Sequence, residues 1–82
     1  MSVEDFPFDP SLLKELVTTV MPYGKYAGHV VADIPEHYLV WMAREGFPKG
    51  KLGQLLALMY EIRLNGLEGL LAPLKQYRQY PH

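Results

Sequence analysis

The chain has 82 residues, of which 49% are hydrophobic and 21% are charged. This length suits one domain with a single compact core, and the low charged fraction argues against disorder. The formal net charge of -1 argues against a protein that binds polyanions through charge alone. The sequence contains no cysteine, which excludes disulfides, thiolate metal sites and cysteine nucleophiles.

Residues 1–5 are acidic and lack the basic-then-apolar order of a signal peptide. No apolar run approaches the roughly 20 residues that a helix needs to cross a bilayer. We therefore expect a soluble, cytoplasmic protein that makes no membrane contact.

The first predicted elements are an arm and a helix. Residues 1–8 should be extended, because Pro7 biases the residue before it away from helix. Asp9 followed by Pro10 is typical of an N-cap and a first helical position. Apolar residues then recur at helical spacing, namely Leu12, Leu13, Leu16, Val17 and Val20, and predict a helix over Pro10–Thr18.

Two short β-rich segments, 20–23 and 29–32, flank a loop bounded by Gly24 and Gly28. This spacing predicts a two-stranded antiparallel hairpin. A lone hairpin is marginally stable in water, so we expect it to pack against the helices.

Two further helices are predicted. Asp33 and Glu36 have the spacing of a capping box, which predicts a helix that ends before Gly46. The longest helix should run from Gly50 or Lys51 to about residue 65 and end at Gly66. Its inner stripe is expected to be Leu52, Leu55, Leu56, Met59 and Ile62.

The predicted fold is α+β: three main helices packed with one two-stranded antiparallel hairpin, and mostly helical. One more helical turn is expected over residues 67–71, before Pro73. We expect a single domain over residues 9–72, followed by a C-terminal tail over 73–82.

The glycine-bounded turn is the first candidate binding surface. Lys25 could contact a phosphate while Tyr23 or Tyr26 stacks on a base, as aromatic side chains do in single-strand binding. The turn is not a Walker P-loop, since it lacks the required glycine spacing and the Ser or Thr after the lysine. The alternative interpretation is that the tyrosines pack on the second helix and the lysine is only solvated.

A second candidate surface lies where the third helix begins. Lys49, Gly50 and Lys51 offer two ammonium groups beside the free N–H groups and the positive dipole end of a helix. The alternative is that Gly50 caps the helix and that both lysines stay in water.

No catalytic, cofactor or metal site is predicted, and we expect a protein that is not an enzyme. Ser11 has no accompanying nucleophile motif. His29, Asp33 and His37 recur at every fourth residue, but we expect no metal site on one helix because Pro35 interrupts the segment. Tyr38 and Trp41 lie one helical turn apart, and we interpret both as anchors of the core.

Several spaced motifs are shared with a known family. They are Met-Pro-Tyr-Gly-Lys-Tyr-Ala-Gly from Met21, Asp-Ile-Pro from Asp33, Tyr-Leu-Val-Trp from Tyr38, Gly-Phe-Pro-Lys-Gly from Gly46 and Asn-Gly-Leu-Glu-Gly-Leu-Leu from Asn65. In these the chain resembles a family of small uncharacterised bacterial proteins labelled "putative quorum-sensing-regulated virulence factor". The resemblance covers about residues 21–71, and it implies a form of regulation rather than an activity.

Segment 22–41 is also similar to a segment that follows the nuclease domain in exodeoxyribonuclease X-like enzymes. That similarity implies an accessory nucleic-acid-binding role. It does not imply nuclease activity, because the carboxylates of the nuclease domain have no counterpart in this chain. Those relatives often have Gly-Lys-Tyr-Lys-Gly in the turn, whereas Ala27 replaces the second basic residue here.

Two functions remain open from the sequence. The first is a non-enzymatic binding module that contacts nucleic acid or another anion through Tyr23, Lys25, Tyr26, Lys49, Gly50 and Lys51. The alternative is a small regulatory factor, associated with quorum sensing or virulence, that binds a protein partner through the third helix. Leu58, Tyr60 and Leu64 broaden the apolar surface of that helix and predict a homodimer contact, with a monomer as the alternative.

Overall fold

The computed structural model describes the backbone of residues 9–77 and the side chains of residues 9–74. The helices in this range are α1 (Pro10–Thr18), α2 (Glu36–Glu45) and α3 (Gly50–Leu64). A short 3-10 turn, Val31–Asp33, precedes α2, and a 3-10 segment, Glu68–Tyr77, follows α3. The predicted arm over residues 1–8 and the last part of the predicted tail lie outside the described residues.

The first helix has the predicted bounds. The Asp9 carboxylate accepts hydrogen bonds from the backbone N–H of Ser11 at 2.9 Å and from its hydroxyl at 2.8 Å. Pro10 occupies the first helical position, where its missing N–H costs no hydrogen bond. The helix ends before Thr19, whose backbone is extended, in a run of β-branched residues that disfavours further helix.

The predicted α+β fold is wrong, because the described residues contain no strand and every regular element in them is helical. The expected hairpin is reduced to one antiparallel bridge between Val20 and Val30. The Met21 N–H donates to the His29 carbonyl at 2.8 Å, but the His29 N–H donates to the Tyr26 carbonyl at 3.0 Å instead of back to Met21, so no ladder continues. On the other side, Val31 enters the 3-10 turn directly.

The capping role predicted for Asp33 is also wrong. Asp33 lies inside the 3-10 turn, and the extended Ile34 separates it from α2. The N-cap position belongs to Pro35, which has no side chain that could cap the helix. The predicted C-terminal end is confirmed: Gly46 follows the last helical residue with φ of 101°, a conformation that favours glycine.

A single apolar core lies between the helices. Its buried side chains come from all five helical elements and from Met21 and Ile34, and they are Leu13, Leu16, Val17, Met21, Val31, Ala32, Ile34, Leu39, Met42, Leu55, Leu56, Met59, Ile62 and Leu71. The inner stripe predicted for α3 is confirmed, except that Leu52 is only half-buried. The 3-10 segment runs through Pro73 to Tyr77, further than the predicted turn over residues 67–71.

Candidate binding surface

The glycine-bounded turn is held by its own backbone. The Ala27 N–H donates to the Gly24 carbonyl at 3.1 Å, and the Gly28 N–H donates to the Met21 carbonyl at 3.0 Å. Gly24 and Gly28 have φ of 89° and 90°, which L-residues with side chains rarely adopt. This compact geometry leaves Tyr23 and Lys25 exposed.

Four rings run from this turn across α2, and we call them the aromatic row: His29, Tyr26, Tyr38 and Trp41. The His29 and Tyr26 rings meet edge to face at 5.8 Å between centroids. Tyr26 meets Tyr38 in the same way at 4.8 Å, and the Tyr38 and Trp41 rings are tilted by 32° at 5.4 Å. Tyr38 and Trp41 are three residues apart on α2, so they share one face of that helix.

The rings in the row differ in burial. Tyr26 and Tyr38 are half-buried and pack against the core, whereas Trp41 is 52% exposed and Tyr23, three residues before Tyr26 in the turn, is 55% exposed. The interpretation of Tyr38 as a core anchor is therefore confirmed, and that of Trp41 is wrong. Of the two interpretations of the turn, packing on α2 holds for Tyr26, while Tyr23 remains open to a ligand.

Basic side chains flank the aromatic row. The Lys25 ammonium lies 5.7 Å from the centroid of the Tyr26 ring, which is cation–π range. Arg44 is exposed and follows Trp41 by three residues, so it lies on the same side of α2. Glu45 is also exposed and neighbours Trp41 at the four-residue spacing. The surface is therefore aromatic, with positive charge at both ends and one nearby acid.

The second candidate turn, at the start of α3, contacts α1 rather than α2. The Lys51 ammonium pairs with the Glu15 carboxylate of α1 at 2.9 Å. Lys49 is exposed at the N-cap position of α3, and Gly50 has φ of 84°. The first turn thus contacts α2 through Tyr26, and the second turn contacts α1 through Lys51.

The three residues predicted for a dimer contact differ in how far they are buried. Leu58 and Tyr60 are half-buried against the core of the same chain, and the Tyr60 ring lies 6.0 Å from that of Phe47. Leu64, at the end of α3, is 58% exposed. Self-association through this surface stays a prediction.

Sequence reasoning missed Arg63, which positions the 3-10 turn ahead of α2. Its Nε donates to the Ile34 carbonyl at 3.1 Å, and one terminal nitrogen donates to the Ala32 carbonyl at 3.0 Å. These bonds fix the chain just before Tyr38 and so help to orient the aromatic row. The partners lie about thirty residues away in sequence, and no local pattern signals such a contact.

No cluster of three or more His, Cys, Asp or Glu side chains in the described part of the chain could hold a metal ion. Within the same residues, no helix is long and apolar enough to span a membrane. Hydrogen bonds from the backbone N–H and then the hydroxyl of Ser11 lower the pKa of the Asp9 carboxyl. That carboxyl caps α1 and lies apart from the aromatic row.

The comparisons with known proteins agree on one family. A family model described as "Putative quorum-sensing-regulated virulence factor" matches residues 9–74. Two relatives, both named "Uncharacterized protein YpeB", come from Escherichia coli K12 and Escherichia coli O157:H7. Each is 48% identical over 65 residues, which cover 78% of this chain and 90% of the relative.

No solved structure matches the chain. The family resemblance noted in the sequence is confirmed, whereas the similarity of segment 22–41 to exodeoxyribonuclease X-like enzymes stays a prediction.

Proposed function

The chain belongs to the family described as "Putative quorum-sensing-regulated virulence factor", and we propose that it acts there as a non-enzymatic module that binds nucleic acid. The family description names a form of regulation, so the activity has to be argued from the surface. The observation that carries the proposal is the exposure of Tyr23 and Lys25 on the turn that also holds Tyr26, with the Lys25 ammonium 5.7 Å from the Tyr26 ring centroid.

Protein surfaces that bind nucleic acid without sequence specificity are built from exposed aromatic rings next to ammonium groups. A base stacked on an aromatic side chain contributes about 1–3 kcal/mol, and a lysine adds contact to the phosphates. Tyr23 and Lys25 lie on a turn whose glycines allow a ligand to approach the backbone closely.

The turn at the start of α3 has a smaller part in this proposal. Lys49 is exposed, but Lys51 would have to give up its ion pair with Glu15 to contact a phosphate. Lys49 and Gly50 are therefore the residues of this turn that best suit a supporting contact.

The test is a fluorescence anisotropy titration of labelled single-stranded DNA and RNA at low salt. Lys25→Ala should weaken binding more than Lys49→Ala, a matched change on the second turn. Failure of both nucleic acids to raise the anisotropy at high micromolar protein would refute the proposal.

A second candidate function is regulation through a protein contact, and the exposed Leu64 at the end of α3 favours it. The simplest partner is a second copy of the chain, which would cover Leu64 and the half-buried Leu58 and Tyr60. Light scattering at micromolar concentration should then give a dimer mass, and Leu64→Glu should return it to the monomer mass. Leu64→Ala is the milder control, and a monomer mass for the unmodified chain would contradict this dimer.

A further inference from the structure

We infer that the surface takes single-stranded rather than duplex nucleic acid, and that Trp41 is the stacking residue at its centre. This inference rests on the proposed function and deepens it. It names the ligand class and assigns a role to a residue that sequence reasoning placed in the core.

Trp41 is held as a platform. More than half of its surface is exposed, although a side chain of this size is usually covered in a small domain. Tyr38 lies beneath it, tilted by 32° at 5.4 Å, and Tyr38 itself rests on the core and on the Tyr26 ring. A ring supported in this way loses little conformational freedom when a ligand stacks on it.

Among the described side chains, the positive charges around the row are too few for duplex binding. Duplex affinity grows with the number of phosphates that basic residues neutralise. Here Lys25 and Arg44 flank the row, Glu45 opposes them, and the chain as a whole has a net charge of -1. Stacking must therefore supply most of the affinity.

Stacking on Trp41 and Tyr23 requires bases whose faces are accessible. In a duplex both faces of each internal base are covered by its neighbours, whereas an unpaired base can lie on an aromatic side chain. The two exposed rings can take one base each, with phosphates directed to the flanking cations.

A cationic or proline-rich peptide is the other ligand that an aromatic surface suggests. The Lys25 ammonium lies beside the Tyr26 ring and would repel a cationic group there. The same ammonium attracts a phosphate, so the charge at this end favours a nucleic acid.

The chain contains one tryptophan, so its emission reports directly on Trp41. We would titrate the full chain at low salt with a short oligo-dT strand, a duplex of equal length, inorganic polyphosphate and a proline-rich peptide. The single strand should quench the emission. The duplex and the polyphosphate should each bind at least about tenfold more weakly than the single strand. Anisotropy of labelled strand and duplex would be measured in parallel.

Variants make the assignment specific. Trp41→Ala should weaken strand binding about tenfold in the anisotropy assay, and Trp41→Phe should recover most of the loss. Gln54→Ala, which shortens an exposed side chain on α3, should leave strand binding unchanged. Thermal unfolding of each variant establishes that it is folded at the assay temperature.

The outcomes separate the inference from the proposed function. If the anisotropy shows nucleic-acid binding but the duplex binds as well as the strand, or Trp41→Ala binds normally, the inference is wrong and the proposed function stands. If neither strand nor duplex binds, both fail. Quenching by the proline-rich peptide without any effect of the strand would identify a peptide site instead.

Discussion

The edge of one tyrosine ring meets the face of another where the glycine-bounded turn joins α2: the centroids of Tyr26 and Tyr38 lie 4.8 Å apart at an interplanar angle of 70°. Within residues 9–77 the turn has one β-bridge and no strand to hold it, so this contact is an important attachment to the helical core. An added Cβ at Gly24 would also lie 3.7 Å from the Tyr38 hydroxyl. Tyr38 thus serves both the fold and the candidate surface.

Tyr38→Ala should lower the free energy of unfolding by about 2–3 kcal/mol. The change removes a half-buried ring together with its contacts to Tyr26 and Trp41. Urea denaturation followed by far-UV circular dichroism measures the loss. Tyr23→Ala is the matched control, and it should change stability by less than about 0.5 kcal/mol because Tyr23 is exposed. Equal losses in the two variants would show that Tyr38 has no special structural role.

Arg63→Met should lower the free energy of unfolding by about 1.5–3 kcal/mol. Methionine keeps an apolar stem of similar length but leaves the Ala32 and Ile34 carbonyls without their charged donors. Arg44→Met is the control, since the exposed Arg44 lies on α2 and should tolerate the change within about 0.5 kcal/mol. If chemical denaturation placed both variants at the stability of the unmodified chain, the two hydrogen bonds from Arg63 would be energetically unimportant.

The helical part of the fold could be predicted because its signals are local. Asp9 and Pro10 mark the start of α1 and Gly66 marks the end of α3, and each acts through the backbone of its own few residues. The predicted hairpin failed because β-branched residues favour strands only where a partner strand can pair with them. Here the His29 N–H bonds to the Tyr26 carbonyl within the turn, so the pairing ends after a single bridge.

The candidate surface could be predicted only in part. The glycines and the lysine of the first turn identified Tyr23, Lys25 and Tyr26, because a tight turn exposes its side chains. The exposure of Trp41 was missed, since helical periodicity groups Trp41 with Tyr38 but does not reveal how far the neighbouring elements extend over that face. The ion pair between Lys51 and Glu15 was missed for a similar reason: it joins helices whose relative placement depends on the whole core.

Gly53→Ala should destabilise the fold by about 2 kcal/mol or more. A Cβ at this position would collide with the carbonyl oxygen of Pro48, a backbone atom that cannot turn aside as a side chain can. The clash must exceed the gain of about 1 kcal/mol that alanine brings to a helix interior. Gly69→Ala is the control, because a Cβ there meets no atom within 4 Å. A thermal melt of Gly53→Ala at or above the unmodified midpoint would contradict the close approach.

Acid should weaken the start of α1. The hydrogen bonds from Ser11 lower the pKa of Asp9 below its ordinary value of 3.8. A carboxyl with a depressed folded pKa adds stability above the unfolded pKa, and this stability is lost as the pH falls through the folded pKa. Asp9→Asn keeps an oxygen that can cap the helix but does not titrate. The unmodified chain should therefore be the more stable of the two at pH 7, and urea denaturation should show the difference shrinking below about pH 4. A difference that is constant down to pH 2.5 would exclude this role for the Asp9 charge.

The salt dependence of strand binding should be shallow. The slope in question is that of the logarithm of the binding constant against the logarithm of the salt concentration. If Lys25 and Arg44 are the cations that contact phosphates, each contributes about -0.7 and the slope is about -1.4. A fourfold rise in salt should then weaken oligo-dT binding about sevenfold. Lys25→Ala should halve the slope, since it removes one of the two contacts.

Glu45→Gln should strengthen binding at low salt, because it removes the acid that neighbours Trp41 on α2. Anisotropy titrations at several salt concentrations measure all of these effects. A slope steeper than about -3 would mean that more cations take part than the aromatic row provides, and would assign the main contact to another surface.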